Sequence, residues 1–370
     1  MSAVIDEMAI DLNNLDKSSW KTYRFDEIAQ NISERVDPNN TDLTVYIGLE
    51  HLDSGSIHIK RSGTPDDVNG QKLRFYKGDV IFGRRRAYQR KAGVATTDGF
   101  CSAHALVLRA NPDVIAPELF PFFLHSDLFM NRAVDISVGS LSPTINWGTL
   151  RHQEFLLPPM VLQSKFIKLF DYSNNALTEQ DKLNATLDIY IKSYFLDFWN
   201  SIISNEKIKL GEVCKPKQWK TISTKELSDE GYFVYGGNGI IGRYKEFNHK
   251  DPVVAISCRG EYCGNVHYTE PYSYITGNSM CLDEVNRKVF EPKFLFYVLF
   301  YLNLDSVVSG SAQPQIIKSD IENFKLPRVP ISVQLDLVRK MDLLWHIKTE
   351  NKSNFENISK LKNLLLTRVF

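Results

Sequence analysis

The chain carries the segment Gly139-Ser-Leu-Ser-Pro143-Thr-Ile145 and, at an offset of 171 residues, the segment Gly310-Ser-Ala-Gln-Pro314-Gln-Ile316. The register continues without a gap until Trp199 falls on Phe370, although only nine of the sixty-one aligned positions are identical. Each copy reads as a Gly-Ser-x-x-Pro loop, an apolar strand-like run, a proline break and a long helical stretch. A chain that builds this unit twice predicts two similar modules related by an approximate two-fold axis. Such a design suits a target that itself has two parts.

Both helical stretches show the spacing of a coiled-coil seam, in which apolar positions recur after alternating steps of four and three. Gln180 and Asn351 fall at equivalent repeat positions, where a buried amide fixes the register of the seam. About 35 residues of helix span roughly 50 Å, so each apolar stripe needs a cover, and each helix can cover the other. A helical hairpin inside an ordinary core is the alternative. The predicted seam positions are Leu162, Phe166, Leu169, Ser173, Ala176, Gln180, Leu183, Leu187, Tyr190 and Tyr194, then Val333, Leu337, Met341, Leu344, Ile347, Phe355, Ile358, Leu361 and Leu365.

Short strand-like runs separated by Gly, Asn, Asp and Pro precede each long helix. The sequence thus predicts a fold of the α+β or α/β class, with two similar globular domains joined by two long antiparallel coiled-coil helices in an internal pseudo-two-fold repeat. The expected strands are residues 44–48, 57–59, 79–82, 105–108, 232–235, 253–257 and 274–276. Two short helices, 117–127 and 292–302, are each expected to begin at a proline. The predicted segments are an N-terminal extension at 1–17, a first domain at 18–158, a central helix at 159–205, a second domain at 206–328 and a C-terminal helix at 329–370.

Composition narrows the class of protein. The 370 residues are 43% hydrophobic and carry no formal net charge, which excludes a uniformly basic nucleic-acid binder. The charge is uneven, because residues 72–91 hold eight Lys or Arg against one acidic residue, Asp79. No apolar run is long enough for a membrane span, and the acidic start lacks the pattern of a signal peptide. These features predict a cytoplasmic protein without a membrane partner.

The motifs of common enzymes are missing from the sequence. It has no phosphate-binding GxxxxGK[ST], no HExxH and no GxSxG, and its five cysteines form no CxxC pair. We therefore expect no catalytic residue, no metal site and no cofactor on this chain. Gly237-Asn-Gly239-Ile-Ile-Gly242 fits GxGxxG, but a dinucleotide fold needs a helix directly after the third glycine. The motif is better interpreted as a Gly-rich turn that lets the backbone approach a ligand closely.

A basic loop follows the strand at 79–82 and lies between Gly83 and Gly93. Arginine offers paired donors to guanine and phosphate, glutamine can pair with adenine, and tyrosine can stack. A solvated charged face is the alternative. The second half has a similar, less basic loop, and the offset of 171 places Gly264 on Gly93. The candidate DNA-binding residues of these two loops are Arg84, Arg85, Arg86, Tyr88, Gln89, Arg90 and Lys91, then Arg259, Tyr262 and Asn265.

The repeated Gly-Ser-x-x-Pro loops are rich in hydroxyl and amide side chains, which suit phosphates and base edges. Turn chemistry alone is the alternative interpretation. The candidates in these loops are Ser140, Ser142, Thr144 and Asn146 in the first copy, and Ser311, Gln313 and Gln315 in the second. Lys217, Lys220, Asn238 and Arg243 complete the predicted DNA-binding set.

Taken together, the doubled loop, the strand-to-proline exits at Leu156-Leu-Pro158-Pro159 and Leu326-Pro327, and the two long helices resemble the specificity subunit of a type I restriction–modification system. The resemblance covers nearly the whole chain. It implies a non-catalytic, sequence-specific DNA reader with two target recognition domains, each reading one half of a bipartite site, and helices that set the unread gap between the halves.

The same resemblance implies partners. Two methyltransferase subunits, which bind S-adenosylmethionine and modify DNA, would dock on the helices, and motor–nuclease subunits that use ATP and Mg²⁺ would complete the restriction complex. Two other classes remain open from the residues. One is a stand-alone DNA methyltransferase or nuclease with a degenerate site. The other is a structural coiled-coil adaptor, which would not need the basic loop.

Overall fold

The computed structural model describes residues 11–202, 206–310 and 313–370. Contacts within the chain divide it into two compact units. The first unit comprises residues up to Asp181 together with Ser353–Phe370, and the second comprises Lys182–Lys352. Each unit therefore holds one α/β domain and a part of both long helices. In the part of the chain that is described, no helix is both long and apolar enough to cross a membrane.

The first unit is built from three sheets. Its strands are β1 Lys21–Arg24, β2 Ala29–Ile32, β3 Arg35–Val36, β4 Tyr46–Ile47, β5 Lys72–Phe75, β6 Val80–Gly83, β7 Ala92–Val94, β8 Gly99–Cys101, β9 Ala105–Ala110 and β10 Glu154–Leu157. Its helices are α1 Phe25–Ile28, α2 Phe120–His125, α3 Asp127–Asp135, α4 Trp147–Leu150 and the start of α5 Met160–Ser201. The strand orders are β2-β9-β6-β7, β3-β5-β8-β4 and β1-β10. The pairing of β4 with β8 is parallel, whereas the other pairings of these strands are antiparallel.

The second unit repeats this plan. Its strands are β11 Lys207–Lys209, β12 Lys215–Gln218, β13 Tyr232–Gly236, β14 Gly239–Tyr244, β15 Val254–Ser257, β16 Val266–Tyr268, β17 Tyr274–Ile275, β18 Ser279–Asp283 and β19 Lys325–Pro327. Its helices are α6 Pro292–Leu302, α7 Lys318–Asn323 and most of α8 Ile331–Val369. The orders are β12-β18-β15-β16, β14-β13-β17 and β11-β19. The four-stranded sheet and the two-stranded pair thus correspond to β2-β9-β6-β7 and β1-β10.

The central strands β6 and β15 are buried along their whole length. In β6, Val80 and Phe82 face one apolar cluster and Ile81 faces another. In β15, Val254 and Ile256 face one cluster and Ala255 the other. A strand covered on both faces reads as a continuous apolar run because neither set of side chains meets water. This explains why both strands are recognisable in the sequence.

Two local predictions need correction. The helix expected at 117–127 from Pro117 instead begins at Phe120, with Pro121 in its first turn. A second helix follows at once, because the Ser126 hydroxyl accepts a hydrogen bond from the Phe129 amide and caps it. The strand expected at 57–59 is reduced to a single bridge between His58 and Val94.

The long helices, α5 Met160–Ser201 and α8 Ile331–Val369, run antiparallel within each unit. In the first unit, Phe170 stacks on Phe370 with ring centroids 6.2 Å apart. In the second unit, the Asn351 amide donates to Asn184 Oδ1 at 2.7 Å. The buried position of Asn351 agrees with its predicted place in the seam.

The predicted seam is partly wrong. Leu183 and Tyr190 are 45% and 53% exposed, and Val333 and Ile347 are also exposed. Ile191 and Phe195, which the pattern did not select, are buried instead and join the core of the second unit. In this stretch, contact with the domain rather than a continuous helix–helix seam determines which face of the helix is buried. The buried residues therefore do not follow the strict coiled-coil spacing.

One buried glutamine anchors each long helix to its own domain. Gln163 Nε2 donates to Val114 O and Pro158 O, each at 2.9 Å, and its Oε1 accepts from Ala116 N at 2.7 Å. In the second unit, Gln334 Nε2 donates to Val289 O and Val329 O, each at 2.8 Å, and its Oε1 accepts from Glu291 N at 2.9 Å. Gln163 and Gln334 stand 171 residues apart, the offset of the repeat, and their matching hydrogen bonds make them a structural repeat at atomic level.

Candidate nucleic-acid interface

In the first unit, backbone hydrogen bonds hold the basic loop against the Gly-Ser-x-x-Pro loop. Arg86 N donates to Pro143 O at 2.7 Å, and Ile145 N donates to Arg84 O at 2.9 Å. The Gly-Ser-x-x-Pro loop is itself closed by two backbone hydrogen bonds between Val138 and Thr144, of 3.0 and 2.9 Å. Together these bonds fix two loops that carry polar side chains at one edge of the domain.

The second unit makes the same set of bonds. Gly260 N donates to Pro314 O at 3.0 Å, and Ile316 N donates to Cys258 O at 3.1 Å. Ser309 and Gln315 exchange two hydrogen bonds of 2.8 Å. The pairs of loops predicted from the repeat are therefore brought together in both units, and by the same backbone atoms.

The basic loop of the first unit and its counterpart in the second unit, which holds Arg259 and Tyr262, align in a different register from the predicted one. Val80 pairs with Val94 in the first unit and Val254 pairs with Tyr268 in the second, so these loops correspond at an offset of 174. Gly264 consequently matches Arg90 rather than Gly93. The physical reason is a difference of three residues in the chain between this loop and the Gly-Ser-x-x-Pro loop, which keeps the offset of 171.

The corrected register aligns backbone conformations as well as strands. Arg86 and Arg90 are left-handed, with φ of 54° and 52°, and their counterparts Gly260 and Gly264 have φ of 78° and 95°. Glycine adopts this conformation without cost, whereas another residue loses roughly 1–2 kcal/mol. The first unit thus keeps two arginines at positions where the backbone conformation favours glycine. Arg86 is exposed, so this cost is expected if its side chain contributes to binding rather than to stability.

The corrected register also aligns two pairs of candidate residues: Arg85 with Arg259, and Tyr88 with Tyr262. Arg85 and Arg259 form equivalent bridges, to Thr144 and Gln315 respectively. The tyrosines are 56% and 43% exposed. An arginine and an exposed tyrosine at the same place in both units form a repeated pair that can donate to phosphate or guanine and stack on a base or sugar.

Other predicted residues of the first unit have different surroundings. Arg90 Nη1 forms an ion pair with Asp127 at 2.6 Å, and its Nη2 donates to His125 O. Lys91 Nζ donates to Leu49 O at 2.7 Å. These two cations stabilise the domain, so fewer charges of the basic loop remain for DNA. Arg85 Nε donates to Ser142 Oγ at 3.3 Å, which links the two loops through side chains as well.

The other first-unit candidates lie in the same two loops. Ser140 and Asn146 are exposed, whereas Gln89, Ser142 and Thr144 are half-buried. The Thr144 hydroxyl donates to Ser142 O at 3.0 Å, so it shapes the turn as well as lying beside the basic loop. This hydrogen bond supports the turn-chemistry interpretation for that residue.

In the second unit, the Gly-rich motif forms the hairpin between β13 and β14, as its interpretation as a turn predicted. A side chain added at Gly237 would approach Asn278 and the Arg259 carbonyl, at 3.8 and 4.0 Å, so the hairpin lies beside the Arg259 loop. Asn238 is exposed at the tip of this hairpin.

Several second-unit candidates do not join this group. Arg243 Nη1 donates to Gly231 O, and its guanidinium lies 4.0 Å from the centre of the Phe233 ring. Lys217 covers the Trp219 ring at 3.6 Å and lines a separate cavity. Lys220 is exposed and lies outside the paired loops, whereas Asn265, Gln313 and Gln315 are exposed residues of those loops. Ser311 lies outside the described residues.

The sequence reasoning missed two polar residues at these loops. His104 lies near the basic loop, and its pKa is lowered by burial and by the charges of Arg85, Arg84 and Lys72. In the second unit, Gln218 Nε2 donates to Gly277 O at 2.8 Å and to Cys258 Sγ at 3.0 Å. An isolated His or Gln carries no signal in the sequence, because its position beside the loop depends on strand pairing.

Comparison with known proteins agrees with this duplicated arrangement. A family model described as the type I restriction modification DNA specificity domain matches residues 203–357. A protein of Methanocaldococcus jannaschii assigned as the MjaX specificity subunit is 24% identical over 86% of this chain and 85% of its own length. The chain is thus similar to the specificity subunits of type I restriction–modification systems.

Further relatives match over a smaller region. The EcoDI specificity subunit of Escherichia coli is 27% identical over 46% of this chain, and the match spans only 40% of that protein. Among solved structures, the S subunit of a type I restriction–modification system from M. genitalium has a TM-score of 0.64 at 18% identity and covers 96% of this chain and 98% of its own. A chain from a structure of type I R-M complex assembly has a TM-score of 0.61 at 19% identity, with coverage of 95% and 97%. These structures confirm the predicted fold class.

Proposed function

We propose that this chain is a specificity subunit and that it reads a bipartite DNA site, with one half-site recognised by each unit and an unread gap between them. The observation that carries the proposal is the repeated pair of Arg85 with Tyr88 and Arg259 with Tyr262, each on a loop held by the same backbone bonds. Two equivalent sets of hydrogen-bond donors on one chain suit the recognition of two short stretches of DNA sequence. The surrounding phosphates would be met by the remaining exposed cations, among them Arg86.

The proposal extends to partner subunits. Both long helices expose apolar side chains that their own units do not cover, and exposed apolar surface of this kind is typical of protein interfaces. We infer that two methyltransferase subunits dock on the helices and that motor–nuclease subunits join them. On this view S-adenosylmethionine, ATP and Mg²⁺ belong to the partners, the specificity subunit is not itself the catalyst, and the complex works in the cytoplasm. The exposed helix residues concerned are Tyr172, Leu183, Ile189, Tyr190, Leu343, Ile347 and Leu364.

The test is to map methylated bases in cells that express the complex with Arg85→Ala or Arg259→Ala. A bidentate contact to the correct base discriminates by about 1–3 kcal/mol, so each variant should relax one position of one half-site by roughly 5- to 150-fold. Each variant is the control for the other, because the half-site read by the unaltered unit should stay the same.

Two outcomes contradict the proposal. If both variants relax the same half-site, the two units do not read separate halves. If neither variant changes the recognised sequence while overall binding is unaffected, the paired loops are not the reading elements.

A further inference from the structure

Three side chains able to bind a metal ion converge in the second unit, away from the paired loops. They are His249, Cys281 and Asp283, whose ligand atoms all lie within 4.8 Å of one another. Cys281 and Asp283 are two residues apart on β18 and therefore share one face of the sheet. His249 lies just before β15 and is fixed by two backbone hydrogen bonds of 3.0 Å with Ser273. We propose that these three residues form a zinc site.

The hydrogen bonds of His249 leave one ring nitrogen directed at the other two residues. Nδ1 lies 2.7 Å from Asn248 Oδ1. The orientation of that amide is fixed, since Asn248 Nδ2 donates to Ile275 O and its Oδ1 accepts from Ile275 N, both at 2.9 Å. Nδ1 therefore carries the proton, and Nε2 faces Asp283 Oδ1 at 3.0 Å. A second hydrogen bond of this kind sets the tautomer of most metal-binding histidines.

Asp283 is held in the same way. Its Oδ2 accepts a hydrogen bond from Trp219 Nε1 at 3.1 Å, which leaves Oδ1 for the shared centre. Zinc bonds of about 2.0–2.3 Å in a tetrahedron place N and O ligands roughly 3.3 Å apart and N and S ligands roughly 3.6 Å apart. The separation of 3.0 Å between His249 Nε2 and Asp283 Oδ1 is close to the first value. Cys281 Sγ lies within 4.8 Å of both atoms, so it would move closer to them when the ion binds.

The site has both a low exposure and an entrance. The side chains of His249 and Asp283 are 11% and 14% exposed, and Cys281 is fully buried. A cavity of about 520 Å³ adjoins His249 and Asp283, which supplies a route for the ion and room for a water ligand in the fourth position.

The charge balance also fits. Four cations line the cavity, Lys215, Lys217, Lys250 and Arg287, together with the carboxylates Asp251 and Glu284, and Glu284 forms an ion pair with Lys215. The two carboxylates offset part of the positive charge, and Zn²⁺ with one thiolate and one carboxylate is neutral overall, so the cations do not oppose the loaded site. Burial and the Asp283 charge raise the pKa of the Cys281 thiol. Zinc would therefore displace the thiol proton on binding, and uptake of the ion should release that proton to solvent.

The full chain, freed of metal with a chelator, should be titrated with Co²⁺ and then with Zn²⁺. The expected result is one Co²⁺ per chain with a near-ultraviolet thiolate-to-metal band, which disappears on adding Zn²⁺. Cys281→Ser should abolish the band, and Asp283→Asn should weaken binding while keeping an oxygen for Trp219. Cys263→Ala, which removes a thiol elsewhere in the same unit, is the matched control and should behave as the wild type.

Trp219→Phe gives an independent test because it removes no ligand. Loss of such a supporting hydrogen bond should weaken Co²⁺ binding by about 10- to 100-fold. It remains informative if Cys281→Ser fails to fold. The proposal is overturned if the wild type shows no thiolate band, or if the band persists in folded Cys281→Ser, or if Trp219→Phe binds Co²⁺ as tightly as the wild type.

Discussion

Replacing Gln163 by leucine should destabilise the first unit strongly, although the two side chains have similar volumes. The change leaves three backbone groups, Val114 O, Pro158 O and Ala116 N, without their hydrogen-bond partner. The bond to Pro158 O is buried and the other two are partly buried. An unsatisfied buried group costs about 1–3 kcal/mol. Taking about 2–3 kcal/mol for the buried carbonyl and about 1 kcal/mol for each of the others gives roughly 4–5 kcal/mol.

This loss is large against the 5–15 kcal/mol by which a domain is typically stable. Urea unfolding followed by circular dichroism measures it, and with a slope of about 2 kcal/mol per M the midpoint should fall by roughly 2 M. Hydrogen exchange would locate the loss near the start of α5. Gln334→Leu should have the same effect in the second unit, because Gln334 makes the equivalent three bonds.

The matched control is Gln153→Leu. Gln153 also makes side-chain hydrogen bonds, to Arg132 and to Thr149 O, but at the surface, so its loss should cost less than about 1 kcal/mol. If Gln163→Leu costs no more than this control, water replaces the missing bonds and the glutamine is not an anchor.

Four further predictions concern function. The triple variant Arg84→Ala, Arg85→Ala and Arg86→Ala should weaken DNA binding. It should also reduce the slope of log K against log salt by about 0.9 for each phosphate that these arginines neutralise in the wild type. An unchanged slope in a salt titration would exclude phosphate binding by this loop. Burial and the adjacent cations lower the pKa of His104 in the free protein, and a nearby DNA phosphate would raise it. DNA affinity should therefore rise as pH falls below about 6.5. His104→Asn should remove this pH dependence, and an equal dependence in the variant would mean that another group causes it. Inserting four residues after Asp181 and four after Lys352 lengthens both helices by about 6 Å and nearly preserves the orientation of their apolar faces. Methylation mapping should then show a longer gap between unchanged half-sites. Altered half-site bases would count against the helices as a spacer. The purified chain alone should transfer no methyl group from S-adenosylmethionine, and turnover in that assay would favour the stand-alone enzyme.

The sequence by itself determined the elements that depend on local pattern. Continuous apolar runs marked β6 and β15, because both faces of each strand are buried. The long helices were recognisable from periodicity, and α6 Pro292–Leu302 from its leading proline and apolar run. The repeat of Gly139 and Gly310 was also readable, since both adopt a left-handed backbone that glycine tolerates. The fold class and the resemblance to type I specificity subunits followed from the order of these elements.

The tertiary structure alone decided which side chains meet. The register that aligns Tyr88 with Tyr262 depends on strand pairing, because the two halves differ by three residues between the loops. Packing against each domain selected Ile191 and Phe195 over the predicted Leu183 and Tyr190, since contact with a domain outweighs the periodicity of a helix. His249 and Asp283 are separated by thirty-four residues and meet only through the sheet. Sequence patterns record neighbours along the chain, whereas binding chemistry depends on neighbours in space.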